Sequence, residues 1–411
     1  MDGKRHGANH QALKLEIIED IAKLINCMKN FDVIVAGLGA MGSATIYQLS
    51  KTNLSVIGID KFNPPHDQGS SHGETRVTRL AVGEGEAYYP LVAESHLIWR
   101  EIEELTGENL LHQVGCLIFT EGEEQSFLHG SDFFNETTQV AEQYGIRHER
   151  YDHKTLSKQY PQIKFNESAH GYFEYEGGYL IPEKCIESNL KLAQDFGANL
   201  ALNETIIRLE YKENESTVKV TTDKNVYECA KLILTLGSWI KTFPEFQHIF
   251  KIFRQILYWF DVDIQEQQYS HKDFPVFIKV GERVIDSYYG FPIISSQQGM
   301  KIATEQYELE TDPDHVDRKV SQQEIRTAYE LFSKNFHIKP VCLRSKTCLY
   351  TATKDFGFVI DYHPQSTSIL VASPCSGHGF KHSAGIGKLL TQMVTNNELI
   401  VDLFPFRLDR F

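Results

Sequence analysis

The chain has few cysteines, no long apolar run and no excess of positive charge, and each of these absences excludes a class of protein. Its seven cysteines are scattered over 411 residues without a single CxxC pair, so neither a disulfide framework nor a zinc site is indicated. No apolar run approaches the ~20 residues that a membrane-spanning helix requires. These features predict a cytoplasmic protein that binds no metal and contacts no membrane.

Charge and length narrow the function and the architecture further. Acidic residues outnumber basic ones, 55 to 41, which gives a formal net charge of −14. Because nucleic-acid binding depends on clustered positive charge, we expect no nucleic-acid partner. The length of 411 residues exceeds the ~250–300 residues at which single cores stop growing, so we expect two structural domains.

The segment 31–43, FDVIVAGLGAMGS, has the pattern of a buried strand, a glycine-rich turn and a helix. In a dinucleotide site the first glycine permits a tight turn, the second lets the backbone approach a pyrophosphate, and the third lets helix and strand pack closely. A second strand over 55–59 ends at Asp60, whose carboxylate is placed to accept hydrogen bonds from ribose hydroxyls. The alternative is a glycine-rich turn without a ligand. The three glycines are Gly37, Gly39 and Gly42.

The rest of the chain alternates between helical and strand periodicity. Helices are predicted over 88–105 and 183–196, and a strand over 115–120. A continuous apolar strand over 231–236 indicates a return of the chain to the parallel sheet. The stretch 254–302 is rich in aromatic and β-branched residues, which favours a separate, mostly antiparallel sheet.

These patterns predict an α/β fold (α+β overall) in which a Rossmann-like dinucleotide-binding domain is interwoven with a mixed, mostly antiparallel-sheet substrate domain. No low-complexity linker separates the two, so we expect a shared interface where ligand clefts form. The predicted boundaries are 28–111, 173–246 and 346–411 for the dinucleotide-binding domain, and 112–172 and 247–345 for the substrate domain.

Residues 1–27 carry a pattern of their own ahead of the first strand. Leu13, Ile17, Ile21 and Leu24 recur at helical spacing with charges between them, which predicts a short amphipathic helix. The segment is either a dispensable extension or a helix that docks on a partner or on the main domain.

Six short motifs occur in one order along the chain, and together they identify a family. With them the chain resembles, from residue 31 to its carboxyl end, the family of monomeric sarcosine oxidase and N-methyltryptophan oxidase. The motifs are GSSHGETR (69–76), GEGEAYYPLV (83–92), YYGFP (288–292), KTCLYT (346–351), SGHGFK (376–381) and PFRLDRF (405–411).

The resemblance implies that the dinucleotide is FAD and that the protein oxidises N-methyl (secondary) amino acids. Hydride passes from the amine C–H to flavin N5, oxygen accepts the electrons as hydrogen peroxide, and the imine is hydrolysed to formaldehyde and the amino acid. The implied partners are a small amino acid and O₂, and the implied state is a monomer.

For the cofactor, the resemblance implies a thioether between Cys348 and the FAD 8α-methyl group. The alternative is a buried structural thiol, which is what a cysteine between apolar strands usually is. The other cofactor-binding residues implied are the three glycines of the first turn and Asp60, together with Asp361, Gly377 and Gly379.

For the substrate, the resemblance implies that Arg79 and Lys381 grip the carboxylate, since an arginine fork gives paired hydrogen bonds and a lysine adds a compact charge. The alternative is solvated surface charge. The residues implied for catalysis are Lys301, Arg76, His72 and Thr75. Lys301 would activate oxygen and Arg76 would stabilise the reduced flavin. His72 is either in the site or held by a backbone partner.

The spacing within GSSHGETR predicts a helical turn. Ser71 and Glu74 have the spacing of a capping box. His72, Arg76 and Arg79 lie at i, i+4 and i+7, so on a helix they would share one face.

The chain departs from the family where the substrate is selected. Four residues beyond the oxygen-activating lysine the family usually carries histidine, and here the residue is Glu305. This carboxylate either pairs with a cationic substrate amine or, with a shifted strand register, lies outside the pocket. Tyr289 and Tyr350 match pocket tyrosines that form an aromatic wall, or they serve as cross-strand packing.

Three alternative functions remain open at this point. The first is an oxidase of cyclic imino acids such as pipecolate or proline, which would share every motif. The second is a flavin dehydrogenase that reduces a quinone. The third is a non-enzymatic flavin-binding redox sensor.

Overall fold

The computed structural model of the protein describes residues 28–122, 127–128, 131–212, 216–263, 266–295 and 299–411. The helix predicted within 1–27 lies outside the described residues. The helices are α1 (Ala40–Ser50), α2 (Tyr89–Thr106), α3 (Phe133–Gln143), α4 (His153–Gln159), α5 (Pro182–Asp195), α6 (Gln322–Phe332) and α7 (Ser383–Thr395).

The strands carry most of the architecture. They are β1 (Lys29–Ala36), β2 (Val56–Asp60), β3 (Arg76–Thr78), β4 (Leu111–His112), β5 (Cys116–Thr120), β6 (Phe127–Leu128), β7 (Ser131–Asp132), β8 (His148–Tyr151), β9 (His170–Glu174), β10 (Gly178–Leu180), β11 (Asn199–Leu202), β12 (Ile206–Glu210), β13 (Val218–Thr222), β14 (Val226–Leu234), β15 (Lys251–Val262), β16 (Val276–Val280), β17 (Tyr288–Gly290), β18 (Met300–Thr304), β19 (Ile338–Ala352), β20 (Val359–His363) and β21 (Ser366–Ser373).

A parallel sheet with the order β11-β2-β1-β14 forms the first layer, and β21 continues it beside the second half of β14. β2, VIGID, is buried along its whole length, as expected of a parallel strand that is covered on both faces. An antiparallel pair, β12 and β13, adds to the first half of β14, and β20 pairs antiparallel with β21. We call this eight-stranded sheet the parallel sheet.

A second eight-stranded sheet has the order β19-β15-β18-β17-β16-β5-β9-β8. Its pairs are antiparallel except β16 with β5, and we call it the mixed sheet. Residues that pair directly across antiparallel strands point to the same face. On β15, Trp259 pairs with Lys301 and Gln255 pairs with Cys348. Gln255 and Trp259 are four residues apart and therefore point to the same face, so Lys301 and Cys348 also share that face of the mixed sheet.

The structure confirms the predicted fold class and several predicted elements. Helices predicted over 88–105 and 183–196 correspond to α2 and α5, and the strand over 231–236 lies largely within β14, which runs parallel to β1. The stretch 254–302 contributes four strands to the mixed sheet. The domain boundaries stay a prediction. Of the helices in the described ranges, none combines the length and the apolar character needed to cross a membrane.

The helical turn predicted within 71–79 is wrong. Gly73 and Glu74 have φ of +98° and +73°, and two consecutive left-handed residues cannot continue a right-handed helix. The chain then extends as β3, which pairs with β10 in a small sheet completed by β4. The capping-box spacing therefore has no helix to cap, and His72, Arg76 and Arg79 do not share a helical face.

Candidate active site

A groove of about 520 Å³ lies outside the carboxyl ends of the parallel strands. This is where open α/β sheets bind ligands. Gly37 follows β1, Asp60 ends β2, Thr235 follows β14 and Pro374 follows β21, and all four line the groove. The parallel sheet thus supplies one wall of the site from the ends of four strands.

The glycine-rich turn after β1 has the geometry that the sequence predicts. Gly37 has φ of +87°, and a Cβ on Gly42 would lie 1.7 Å from the Gly37 carbonyl oxygen. A Cβ on Gly39 would meet nothing closer than Ser71 Oγ at 3.8 Å, so the backbone is open at this position. The Asp60 carboxylate holds the turn, because Leu38 N–H donates to its Oδ2 over 2.6 Å.

Further parts of the groove lining come from β19 and from the turn after β21. Tyr350, Cys375 and Gly377 line the groove, together with Arg76. Cys348 lies two residues before Tyr350 on the same face of β19 and is buried. Burial raises the pKa of the Cys348 thiol, while the positive charges of Arg76 and Lys301 act in the opposite direction.

Lys301 joins the mixed sheet to the turn before β3. Its Nζ contacts the Gly73 carbonyl at 2.6 Å, the Thr75 carbonyl at 2.9 Å and Thr75 Oγ1 at 3.0 Å. Burial, and then the neighbouring charge of Arg76, hold the pKa of Lys301 well below its usual value. The Thr75 hydroxyl can accept from the ammonium form or donate to the neutral amine, so this contact suits either protonation state.

Arg79 and Lys381 meet at a single buried carboxylate, that of Glu84. Arg79 Nη2 lies 3.3 Å from Glu84 Oε2, and Lys381 Nζ lies 3.4 Å from Glu84 Oε1. Burial lowers the pKa of Lys381 to about 8, although Glu84 acts to raise it. Sequence reasoning missed Glu84, although it lies within the GEGEAYYPLV motif.

Glu305 lies immediately beyond β18 and is 7% exposed. Its negative charge acts on Tyr289 and Tyr350, so its carboxylate lies near these two tyrosines. Tyr307 donates its hydroxyl proton to Glu305 Oε2 over 3.0 Å. The hydroxyls of Tyr289 and Tyr350 lie 3.1 Å apart, so a polar aromatic wall adjoins the carboxylate.

The sequence profile described as FAD dependent oxidoreductase matches residues 32–393. The chain belongs to the FAD dependent oxidoreductase family. It is 32% identical over 393 residues to a monomeric sarcosine oxidase of Bacillus sp. (strain NS-129), covering 93% of this chain and 97% of that one. It is 29% identical over 386 residues to an N-methyl-L-tryptophan oxidase of Yersinia pestis (strain Pestoides F), covering 93% and 100%.

Solved structures show the same fold as this FAD dependent oxidoreductase. NikD, described as an unusual amino acid oxidase essential for nikkomycin biosynthesis, superimposes in its open form with a TM-score of 0.78 at 18% identity, covering 92% of this chain and 98% of that one. L-proline dehydrogenase from P. horikoshii gives a TM-score of 0.76 at 17% identity, with coverages of 93% and 99%. At these identities the likeness concerns the fold alone.

The residues of this FAD dependent oxidoreductase fit the cofactor. His72 is 2% exposed, and neither of its ring nitrogens has a hydrogen-bond partner among the described residues. Burial, with Arg76 and two lysines nearby, lowers the pKa of His72 to about 3, so the ring is neutral. A buried polar group without a protein partner is expected to face a ligand. The backbone partner considered for this histidine is absent from the described residues.

The structure brings most predicted site residues together, with one exception. Asp361 is not at the groove: its Oδ2 accepts from Leu408 N–H and its Oδ1 from Tyr362 N–H, both over 2.8 Å. Its predicted role as a cofactor-binding residue is therefore corrected to that of anchoring the carboxyl-terminal segment to β20. The predicted residues that line the groove are Gly37, Gly39, Asp60, Arg76, Tyr350, Gly377 and Gly379. Lys301 contacts Thr75, and the charge of Arg76 acts on His72, Lys301 and Cys348.

Proposed function

We propose that this protein is an oxidase of N-methyl and other secondary amino acids that uses FAD and molecular oxygen. The observation that carries the proposal is the convergence of two cation sets: Arg79 with Lys381 around one carboxylate, and Arg76 with Lys301 beside Cys348. The first set suits the carboxylate of an amino acid. The second suits an electron-rich flavin and reduced oxygen.

Arg79 and Lys381 bind the substrate carboxylate in this mechanism. Glu84 now occupies the space between the two cations, so a substrate carboxylate takes over contacts that Glu84 makes. Tyr289 and Tyr350 bound the pocket beside Glu305 and orient the amine.

FAD, when bound, supplies the acceptor for the amine hydride and passes the electrons on to O₂. Cys348 would hold it by a thioether, and Arg76 and the neutral His72 would contact it. Lys301 offers a positive charge and an exchangeable proton next to Thr75 Oγ1, which stabilise negative charge as oxygen is reduced. A cytoplasmic location and a monomeric state stay predictions.

An aerobic assay with a panel of amines tests the proposal. Sarcosine, N-methyl-L-tryptophan, pipecolate and proline are each mixed with the holoenzyme, and hydrogen peroxide and formaldehyde are measured. We expect peroxide and formaldehyde in equal amounts with an N-methyl substrate. Peroxide without formaldehyde from a cyclic substrate would favour the imino acid oxidase, flavin bleaching without peroxide would favour the dehydrogenase, and no bleaching with any amine would contradict all three.

Acid precipitation tests the covalent bond separately. If the thioether exists, the yellow colour stays with the precipitated protein and not with the supernatant. A Cys348→Ser variant is the matched control and should release its flavin.

A further inference from the structure

The segment 72–81 carries His72, Thr75, Arg76 and Arg79, but its only regular structure is the three-residue strand β3. We propose that two glutamates outside the substrate pocket, Glu174 and Glu183, are positioning residues that fix the two ends of this segment through its backbone N–H groups. The inference rests on the proposed function, in which Arg79 binds the substrate carboxylate.

Glu183 fixes the first end from the first turn of α5. Its Oε1 accepts from Gly73 N–H over 2.6 Å and from Glu74 N–H over 3.1 Å. These two residues are the consecutive left-handed ones, and successive N–H groups in such a conformation form a concave anion site. The Gly73 carbonyl is bound by Lys301, so the turn is held between α5 and the mixed sheet.

Glu174 fixes the other end from the last residue of β9. It is 0% exposed; its Oε1 accepts from Leu80 N–H over 2.5 Å and its Oε2 from Ala81 N–H over 3.0 Å. Arg79 in turn donates from Nη1 to the Ala81 carbonyl. Since a buried carboxylate is costly without its hydrogen bonds, Glu174 fixes the backbone to which the Arg79 guanidinium is attached.

The two glutamates differ in how their oxygens are used. Both N–H groups at the first end reach Oε1 of Glu183, and the Glu74 N–H is also shared with Oε2 over 3.2 Å. The single amide oxygen of glutamine can still accept both N–H groups, and only the longer, shared contact is lost. Glu174 uses one oxygen for each N–H group, so glutamine would place its NH₂ group against a backbone donor. An unpaired buried donor costs ~1–3 kcal/mol. We therefore expect Glu174→Gln to displace the segment more than Glu183→Gln does.

The experiment compares Glu174→Gln and Glu183→Gln as holoenzymes. We expect Glu174→Gln to raise both KM for an N-methyl amino acid and Kd for acetate by about tenfold, while the limiting rate of anaerobic flavin reduction changes less than threefold. Glu183→Gln keeps an acceptor for both N–H groups and should change the two constants less than Glu174→Gln does, whereas Glu183→Ala removes every acceptor and should raise both about tenfold. Glu187→Gln on the exposed side of α5, the matched control, should leave both within about threefold of wild type.

A purely structural role would lower the unfolding temperature of Glu174→Gln and leave KM and Kd unchanged, and that result would overturn the inference. If Glu174→Gln does not retain FAD, Glu174→Asp is measured instead. Aspartate keeps the charge but is too short to reach both N–H groups. Wild-type values of KM and Kd in Glu174→Asp would also overturn the inference. An Arg79→Met variant distinguishes failure of the proposed carboxylate site from failure of the positioning role. Unchanged constants in Arg79→Met contradict the proposed carboxylate site, whereas raised constants there, with normal ones in both Glu174 variants, contradict the positioning role alone.

Discussion

The glycine turn after β1 and Arg76 of the segment 72–81 line the same groove, but different parts of the chain hold the turn and the segment in place. The glycine turn is fixed by its neighbours: Gly42 packs on the Gly37 carbonyl, and Asp60 at the next strand end accepts from Leu38. The segment 72–81 is fixed by Glu183 and Lys301, which are 110 and 228 residues away from Gly73 in the chain. A cofactor cradle can thus be encoded locally while the proposed catalytic residues beside it are placed by distant side chains.

A single substitution in the glycine turn after β1 should abolish FAD binding. We expect Gly42→Ala to lose retained FAD, because a Cβ 1.7 Å from the Gly37 carbonyl oxygen can be accommodated only by moving backbone, at a cost of about 3 kcal/mol or more. The flavin absorbance of the purified protein and its thermal unfolding measure the effect.

The matched control for this change is Gly39→Ala. The Cβ of the new alanine would be 3.8 Å from Ser71 Oγ, and φ at this position is −68°. The cofactor-free variant should therefore unfold at the same temperature as the cofactor-free wild type. Any loss should appear only as weaker FAD binding. Retention of wild-type flavin by Gly42→Ala would show that close packing in this turn is not required.

The same contrast explains which features the sequence alone predicts. Gly37, Gly39, Gly42 and Asp60 lie within 24 residues, and each is read from a turn, strand or helix that its neighbours determine. The parallel strand predicted over 231–236 likewise follows from its local apolar run.

Predictions on 71–79 failed because the conformation is set from outside the segment. The capping-box and i, i+4, i+7 spacings are compatible with a helix, but the left-handed pair Gly73–Glu74 is held by Glu183 and Lys301, whose proximity no spacing reveals. Glu84 and Glu174 were missed for the same reason, since their partners are known only once the sheets are assembled. The family resemblance pairs Arg79 with Lys381 as carboxylate ligands, which stays a prediction; the structure shows that both side chains contact Glu84, a contact that the sequence did not reveal.

Lys301→Met sharpens the comparison, because Lys301 is both an anchor of the segment 72–81 and the proposed oxygen-activating group. We expect reoxidation of the reduced flavin by O₂ to slow by about 100-fold or more, with the limiting rate of flavin reduction by substrate changed less than threefold. Stopped-flow measurement of the two half-reactions checks this.

Lys279→Met is the control for Lys301→Met. Lys279 lies on β16 of the same sheet and donates to the Asp286 carbonyl over 3.2 Å, so its loss should leave both half-reactions unchanged. A raised KM with normal reoxidation in Lys301→Met would show that this lysine only anchors the Gly73–Thr75 turn.

Glu305→His tests the substrate side, at the position where the family resemblance predicts a histidine. A buried carboxylate favours substrates that carry an additional positive charge, so we expect the preference for Nα-methyl-L-arginine over sarcosine, as a ratio of kcat/KM values, to fall about tenfold. Glu305→Gln keeps the shape and removes the charge, and should give the same fall. An unchanged ratio in both variants would mean that Glu305 does not face the substrate.

The smallest expected effect comes from the pH dependence of Lys381. Burial lowers its pKa to about 8, so its ammonium form is complete below pH 7 and is lost as the pH rises through 8 and beyond, while the Arg79 guanidinium stays charged. Because only the charged lysine attracts a carboxylate, Kd for acetate should be constant between about pH 6 and pH 7 and rise about fivefold by pH 10. Acetate itself does not titrate in this range, so the profile reports the protein. Lys381→Met should bind acetate weakly at every pH and lose the rise; a rise that persists in this variant would assign the titration to another group in the pocket.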